Sequence, residues 1–184
     1  ANPSTGTGGF FVANNGGIQS QLRTATGGWH LDNSGGVRSD AWNDGMWHHL
    51  ACVIDRSKSD HTSCRLYLDG VEQNSAGTTG GAPFSVPALF NDDFLIGGGS
   101  ATYEAGKNCF RGYIDDVRIS RGALAPEDFL KYPTVGKRMR ADDGKLPVVA
   151  YWPFGGRRGK DATGNGFDLT MDDTVPMLSG TPNP

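Results

Sequence analysis

Apolar side chains along this chain alternate with polar ones over short runs, and glycine, asparagine and aspartate close each run. "GGFFVANNGG", "IQSQLRTATGG", "GGWHLDNSGG", "MWHHLACVID", "CRLYLDG", "DFLIGGG", "FRGYIDDVRIS" and "VVAYWPFGG" each read as a strand followed by a turn. Helical spacing is confined to "ALAPEDFLKY", residues 123–132, where Pro126 and two acids fill the first turn. That helix is one to two turns at most. Residues 132–147, "YPTVGKRMRADDGKLP", turn polar and basic and read as a connector. Many short strands at close spacing predict an all-β sandwich or barrel.

The stretch "WHHLACVID", residues 47–55, shows how the alternation works. Leu50, Cys52 and Ile54 share one face with His48, while Trp47, His49, Ala51 and Val53 share the other. After the loop "RSKSDHTS", Cys64, Leu66 and Leu68 are expected to pair back onto Cys52, Leu50 and His48. Asp69-Gly70 then supplies a tight turn. On this reading the two histidines are structural sheet residues on opposite faces, unable to converge on one proton or metal. Cys52 and Cys64 would lie nearly opposite, either bridged or as small apolar core residues. With Cys109 the chain has three cysteines, enough for one intrachain disulfide.

Composition narrows the class. Hydrophobic residues at 36%, charged residues at 20% and 28 glycines suit a soluble β-domain rich in turns. A chain of 184 residues fits one domain comfortably. The net charge of −3 gives no broad attraction to nucleic acid. No apolar run approaches the roughly 18 residues that a membrane span needs. "ANPSTGTGG" at the N-terminus has neither a charged n-region nor an apolar h-region, so a signal peptide is not in this chain.

Three blocks, in order, carry a resemblance: "WHHLACVID…CRLYLDG", "FLIGGG" and "FRGYIDDVRISRGALAPEDF". The chain resembles bacterial LamG-type jelly-roll domains of the laminin-G-like, concanavalin A-like lectin/glucanase superfamily. The matching residues are Trp47, His48, His49, Tyr67, Asp69, Gly70, Gly112, Ile114, Asp115, Val117, Arg118 and Ile119. The blocks cover about residues 9–131. The resemblance implies a two-sheet antiparallel jelly-roll β-sandwich, with one short helix near 123–132. One departure stands out: the strand signature that usually opens such domains lies at the C-terminal end, as "AYWPFGGRRGKDATGNGFDLT", residues 150–170. Two organisations follow. Residues 1–184 form a single sandwich, with 132–147 as connector and 148–184 supplying the opening-type strands. Alternatively, 1–131 is the domain and 148–184 begins a second repeat.

The superfamily also contains retaining glucanases, whose chemistry needs two carboxyl groups about 5–5.5 Å apart on one strand face. The three glutamates here, Glu72, Glu104 and Glu127, stand apart in turns or at the short helix. The aspartate pairs 92–93, 115–116, 142–143 and 172–173 are adjacent, so in extended chain their side chains diverge. No G-x-S-x-G, H-E-x-x-H or C-x-x-C occurs, and "IGGGS" lacks the lysine of a phosphate loop. This composition predicts no catalysis by the chain itself.

Two ligand classes remain. Calcium, which the resemblance implies for laminin-G-like relatives, takes several loop oxygens. Its candidates are Asp161, Asn165 and Asp168 in "DATGNGFD", Asp115 or Asp116, and the turn at 91–93. The alternative is that Asp161 and Asn165 only shape a tight turn with Gly164 and Gly166. Sugars need aromatic faces beside polar hydrogen-bonders. Trp29, Trp42 and Tyr103 lie near turns, close to Asn33, Asn43, Asp44, Glu104 and Asn108, whereas Trp47 and Trp152 are expected in the core. The expected function is glycan recognition by a secreted or cell-surface bacterial module, accessory to a larger protein such as a sialidase. A spacer or protein-interaction module without its own ligand is the alternative, and a small glycosidase the least favoured.

Overall fold

The structure, a computed structural model of the chain, describes residues 8–12, 18–23, 29–32, 42–55, 64–73, 94–97, 110–129, 148–154 and 158–171. Every strand pairing among them is antiparallel. Two compact units are present, Ala1–Arg111 and Gly112–Pro184.

The first unit holds two ladders. β1 (Gly8–Val12), β2 (Ile18–Arg23) and β3 (Trp29–Asp32) follow one another in space as in sequence. β4 (Leu50–Ile54), β5 (Cys64–Leu68) and β6 (Val71–Glu72) do the same. Leu66 and Leu68 form a buried cluster on one face of the second ladder, and Trp42 and Leu50 pack against it. Val53 and Tyr67 are buried on the opposite face. β5 thus has cover on both sides, which explains its nearly continuous apolar run "LYL".

The β4–β5 register differs from expectation by two residues. Leu50 faces Leu68, Cys52 faces Leu66 and Ile54 faces Cys64. A slip of two leaves every side chain on its expected face, because the strand period is two. It does separate Cys52 from Cys64, which are not a directly opposed pair. Asp69 explains the register. Its N–H donates to the His49 carbonyl, and its Oδ1 accepts the His49 N–H, both at 2.8 Å. Asp69 and His49 therefore close the ladder one step beyond Leu50 and Leu68. Asp69 and Gly70 have φ of 50° and 80°, the left-handed pair that a two-residue hairpin turn into β6 requires. The histidines stand immediately before β4 rather than inside it.

The second unit pairs β7 (Val117–Ser120) with β8 (Val148–Trp152), with an irregularity between Ile119 and Ser120. The helix α1 is a single turn, Pro126–Phe129, opened by proline as expected. Ala150, Tyr151 and Trp152 of β8 are buried. The other edge of β8 is occupied by the following turn. Ala162 N–H donates to the Tyr151 carbonyl, Tyr151 N–H to Asp161 Oδ1, and Asn165 Nδ2 to the Val149 carbonyl. This edge is covered by hydrogen bonds, leaving no open ladder there. Expected strand in "DFLIGGG" is absent at the described residues 94–97, and residues 167–171, within the segment expected to supply opening-type strands, form none. In both, glycine-shaped turns supersede the ladder: Phe110 N–H bonds the carbonyl of Gly97, whose φ is 83°, and Leu169 N–H bonds that of Gly159.

Candidate functional site

The described part of the site is built on the turn before β4 and the turn after β5. Asp44 Oδ1 accepts the Met46 N–H at 2.8 Å, and Gly45 between them takes φ of 84°. The same oxygen lies 2.9 Å from His48 Nε2. On the ring's other side, His48 Nδ1 lies 2.8 Å from Asp69 Oδ2. A carboxylate offers only acceptors, so both ring nitrogens are matched only when both carry protons. The geometry selects the imidazolium. The carboxylate of Asp69, then that of Asp44, raises the His48 pKa above its ordinary 6.5. The two carboxylates respond in kind. Asp44 is held below the ordinary carboxyl value by His48 and by the Met46 N–H. Partial burial pushes Asp69 up, but the bonds from His48 and from the His49 N–H outweigh it and leave its pKa lowered.

This arrangement ties three segments together. Trp42, at the start of the same turn, packs on the Leu66–Leu68 cluster and lies 6.4 Å from Phe110 between ring centroids. Trp47 is 44% exposed, and Asn43 and Met46 of the preceding turn are exposed as well. The exposure of the two tryptophans differs from expectation. Trp42, placed among the sugar-binding aromatics, is a packing residue; Trp47, placed in the core, is exposed. Trp152 is buried as expected and donates its Nε1–H to the Phe167 carbonyl at 2.7 Å.

Of the other sugar-binding candidates, Asn43 and Asp44 share the turn just described, with Asp44 engaged by His48. Trp29 is placed as the first residue of β3, opposite Arg23. Asn33, Tyr103, Glu104 and Asn108 lie outside the described residues. Glu72 is exposed in β6 and Glu127 exposed in α1, so they occupy separate elements. The role of Asp69 was missed because the expected register hid it. With Leu68 opposite Leu50, Asp69 falls opposite His49 and next to His48; with Leu68 opposite His48 it would not.

The described cation candidates fall in two places, the 161–168 turn and Asp115–Asp116 ahead of β7. Asp161 accepts from Tyr151 N–H, Thr163 N–H, Thr163 Oγ1–H and Phe167 N–H. Burial pushes its pKa up, but these donors prevail and hold it lowered. Asp168 accepts from the Asp161 N–H and the Lys160 ammonium. Asn165 turns its amide to Val149. Asp115 caps the Asp116 N–H, and Asp116 accepts the Tyr151 hydroxyl at 2.6 Å. Each of these carboxylates accepts protein donors, and among the described residues no three His, Cys, Asp or Glu side chains gather as a metal site. The turn at 91–93 lies outside the described residues.

No described helix is long and apolar enough to cross a membrane. No curated protein and no solved structure matches the chain. The family model Laminin_G_3, described as concanavalin A-like lectin/glucanases superfamily, matches residues 2–128, more than half of the chain. Its reach agrees with the antiparallel ladders, the all-β class and the single turn of helix. The chain belongs to the Laminin_G_3 family, within the concanavalin A-like lectin/glucanases superfamily.

Proposed function

We propose that this chain is a non-catalytic glycan-recognition module of a larger secreted or surface protein, one that carries a glycoside hydrolase such as a sialidase. The observation that carries the reading is the family match over residues 2–128, in a superfamily of lectins and glucanases. The use of the carboxylates favours the lectin side of that pair. Asp44, Asp69, Asp116, Asp161 and Asp168 each bond protein donors, in service of turns and strand edges. A retaining glycosidase needs a facing pair on one strand face, and Glu72 and Glu127 stand in different elements. For the binding surface we assign the exposed Trp47 and the exposed Asn43 of the turn that precedes it. An indole face packs on pyranose C–H groups while an amide serves the hydroxyls.

A glycan array probed with the intact chain, with and without calcium, tests this reading. Retention of a defined glycan class without turnover is expected. Binding to no glycan under either condition would leave the spacer reading in its place, and release of free sugar would establish a glycosidase.

A further inference from the structure

We propose that His48 is a proton-operated latch: as an imidazolium it ties the 42–46 turn to the β5–β6 turn, and on losing its Nε2 proton it lets Asp44 go. Two bonds hold the ring, 2.8 Å to Asp69 and 2.9 Å to Asp44. A neutral imidazole has one N–H, so one of its nitrogens must then face a carboxylate oxygen as a second acceptor. That contact is repulsive, and one arm opens.

Which arm opens follows from what else holds each carboxylate. Asp69 is fixed from two further directions: its own N–H bonds the His49 carbonyl, and its Oδ1 takes the His49 N–H. Among the described residues, Asp44 is otherwise held by the Met46 N–H and its own backbone N–H, bonds within its own turn that move with it. Nδ1–H therefore stays on Asp69, the proton leaves Nε2 for water, and Asp44 departs. Asp44 from the turn before β4 and Asp69 from the turn after β5 are the charged groups that act on the ring, and the neighbouring His49 adds its own field at Asp69. Trp42 stays seated on Leu66 and Leu68, so the movement is confined to Asn43–Met46. Protonation state thus sets the position of the turn that precedes the exposed Trp47. This inference stands on the hydrogen bonds alone and is independent of the glycan reading.

The test is a nuclear magnetic resonance titration of the intact, isotope-labelled chain from mildly acidic to mildly alkaline pH. The His48 ring should titrate with a midpoint above the ordinary 6.5. The amides of Asn43–Met46 should shift with that same midpoint, and those of Asp69 and His49 should move less. In Asp44→Asn the His48 midpoint should fall and the turn amides should no longer follow it. A His48 midpoint at or below 6.5 would overturn the latch. So would turn amides that stay still through the His48 titration. Because the wild-type titration decides by itself, the proposal remains testable even if Asp44→Asn does not fold.

Discussion

Asp161 shows what a single carboxylate does in this chain. Both of its oxygens are satisfied by N–H and O–H donors from Tyr151, Thr163 and Phe167, so it joins the 161–167 turn to the buried strand β8. Asp161→Asn replaces one acceptor with an NH2 group, which must then face another donor in either orientation. Loss of about 1–3 kcal/mol is expected by denaturant unfolding. The lowered Asp161 pKa fixes the sign of its pH dependence. Its contribution is present above the ordinary 3.8 and fades as pH falls through the lower folded value. Gly159 is the other sensitive position in the same turn. It has φ of 74°, and an added Cβ would stand 3.1 Å from the Leu169 carbonyl oxygen and 3.0 Å from Met171 Sδ. Gly159→Ala should cost at least about 1–2 kcal/mol from the left-handed backbone alone. His48 carries the opposite pH sign. Its raised folded pKa makes its contribution complete below 6.5 and lost as pH rises through the folded value. His48→Gln should therefore destabilise at mildly acid pH and less at alkaline pH, by melting temperatures compared across that range.

The β4–β5–β6 ladder shows which part of an element a sequence displays. Alternation over "LACVI" and "CRLYL" identified both strands and both faces, because face depends only on parity. Register was not legible, because the nine-residue connection 55–63 is too long for turn geometry to set it. What sets it is Asp69, whose carboxylate and N–H both engage His49. Parity also could not decide which of two nearby tryptophans packs inward, since Trp42 precedes the strand and Trp47 stands at its threshold. Trp42 fits over Leu66 and Leu68, and Trp47 remains outside. The two substitutions should therefore separate. Trp42→Ala should remove stability, by less than the about 3–5 kcal/mol of a fully buried aromatic because Trp42 is only partly buried. Trp47→Ala should cost less stability than Trp42→Ala and weaken glycan retention about tenfold, the effect of losing one ring contact of about 1.4 kcal/mol. A Trp47→Ala chain that retains full glycan affinity would remove this ring from the binding surface.

The chain as a whole raises the question of what its last third contributes. The family match ends at residue 128, while β8 begins at Val148 and pairs with β7, a strand inside the matched region. β8 brings three buried side chains, Ala150, Tyr151 and Trp152, and the Tyr151 hydroxyl reaches back to Asp116 ahead of β7. Its far edge is closed by Asp161, Ala162 and Asn165. A chain ending at Tyr132 would lose all of these at once. Val117–Ser120 would then present an unpaired strand edge, and the apolar surface that β8 covers would face water. Both are routes to association with other chains. Truncation after Tyr132 is therefore expected to give an insoluble or oligomeric product, read by sedimentation and by the concentration dependence of the melting transition. Restoring 133–184 in the same polypeptide should return a soluble chain. A soluble 1–132 fragment that unfolds cooperatively would show that β7 needs no partner from the C-terminal segment. In that case residues 148–184 would belong to a further repeat and not to the first domain.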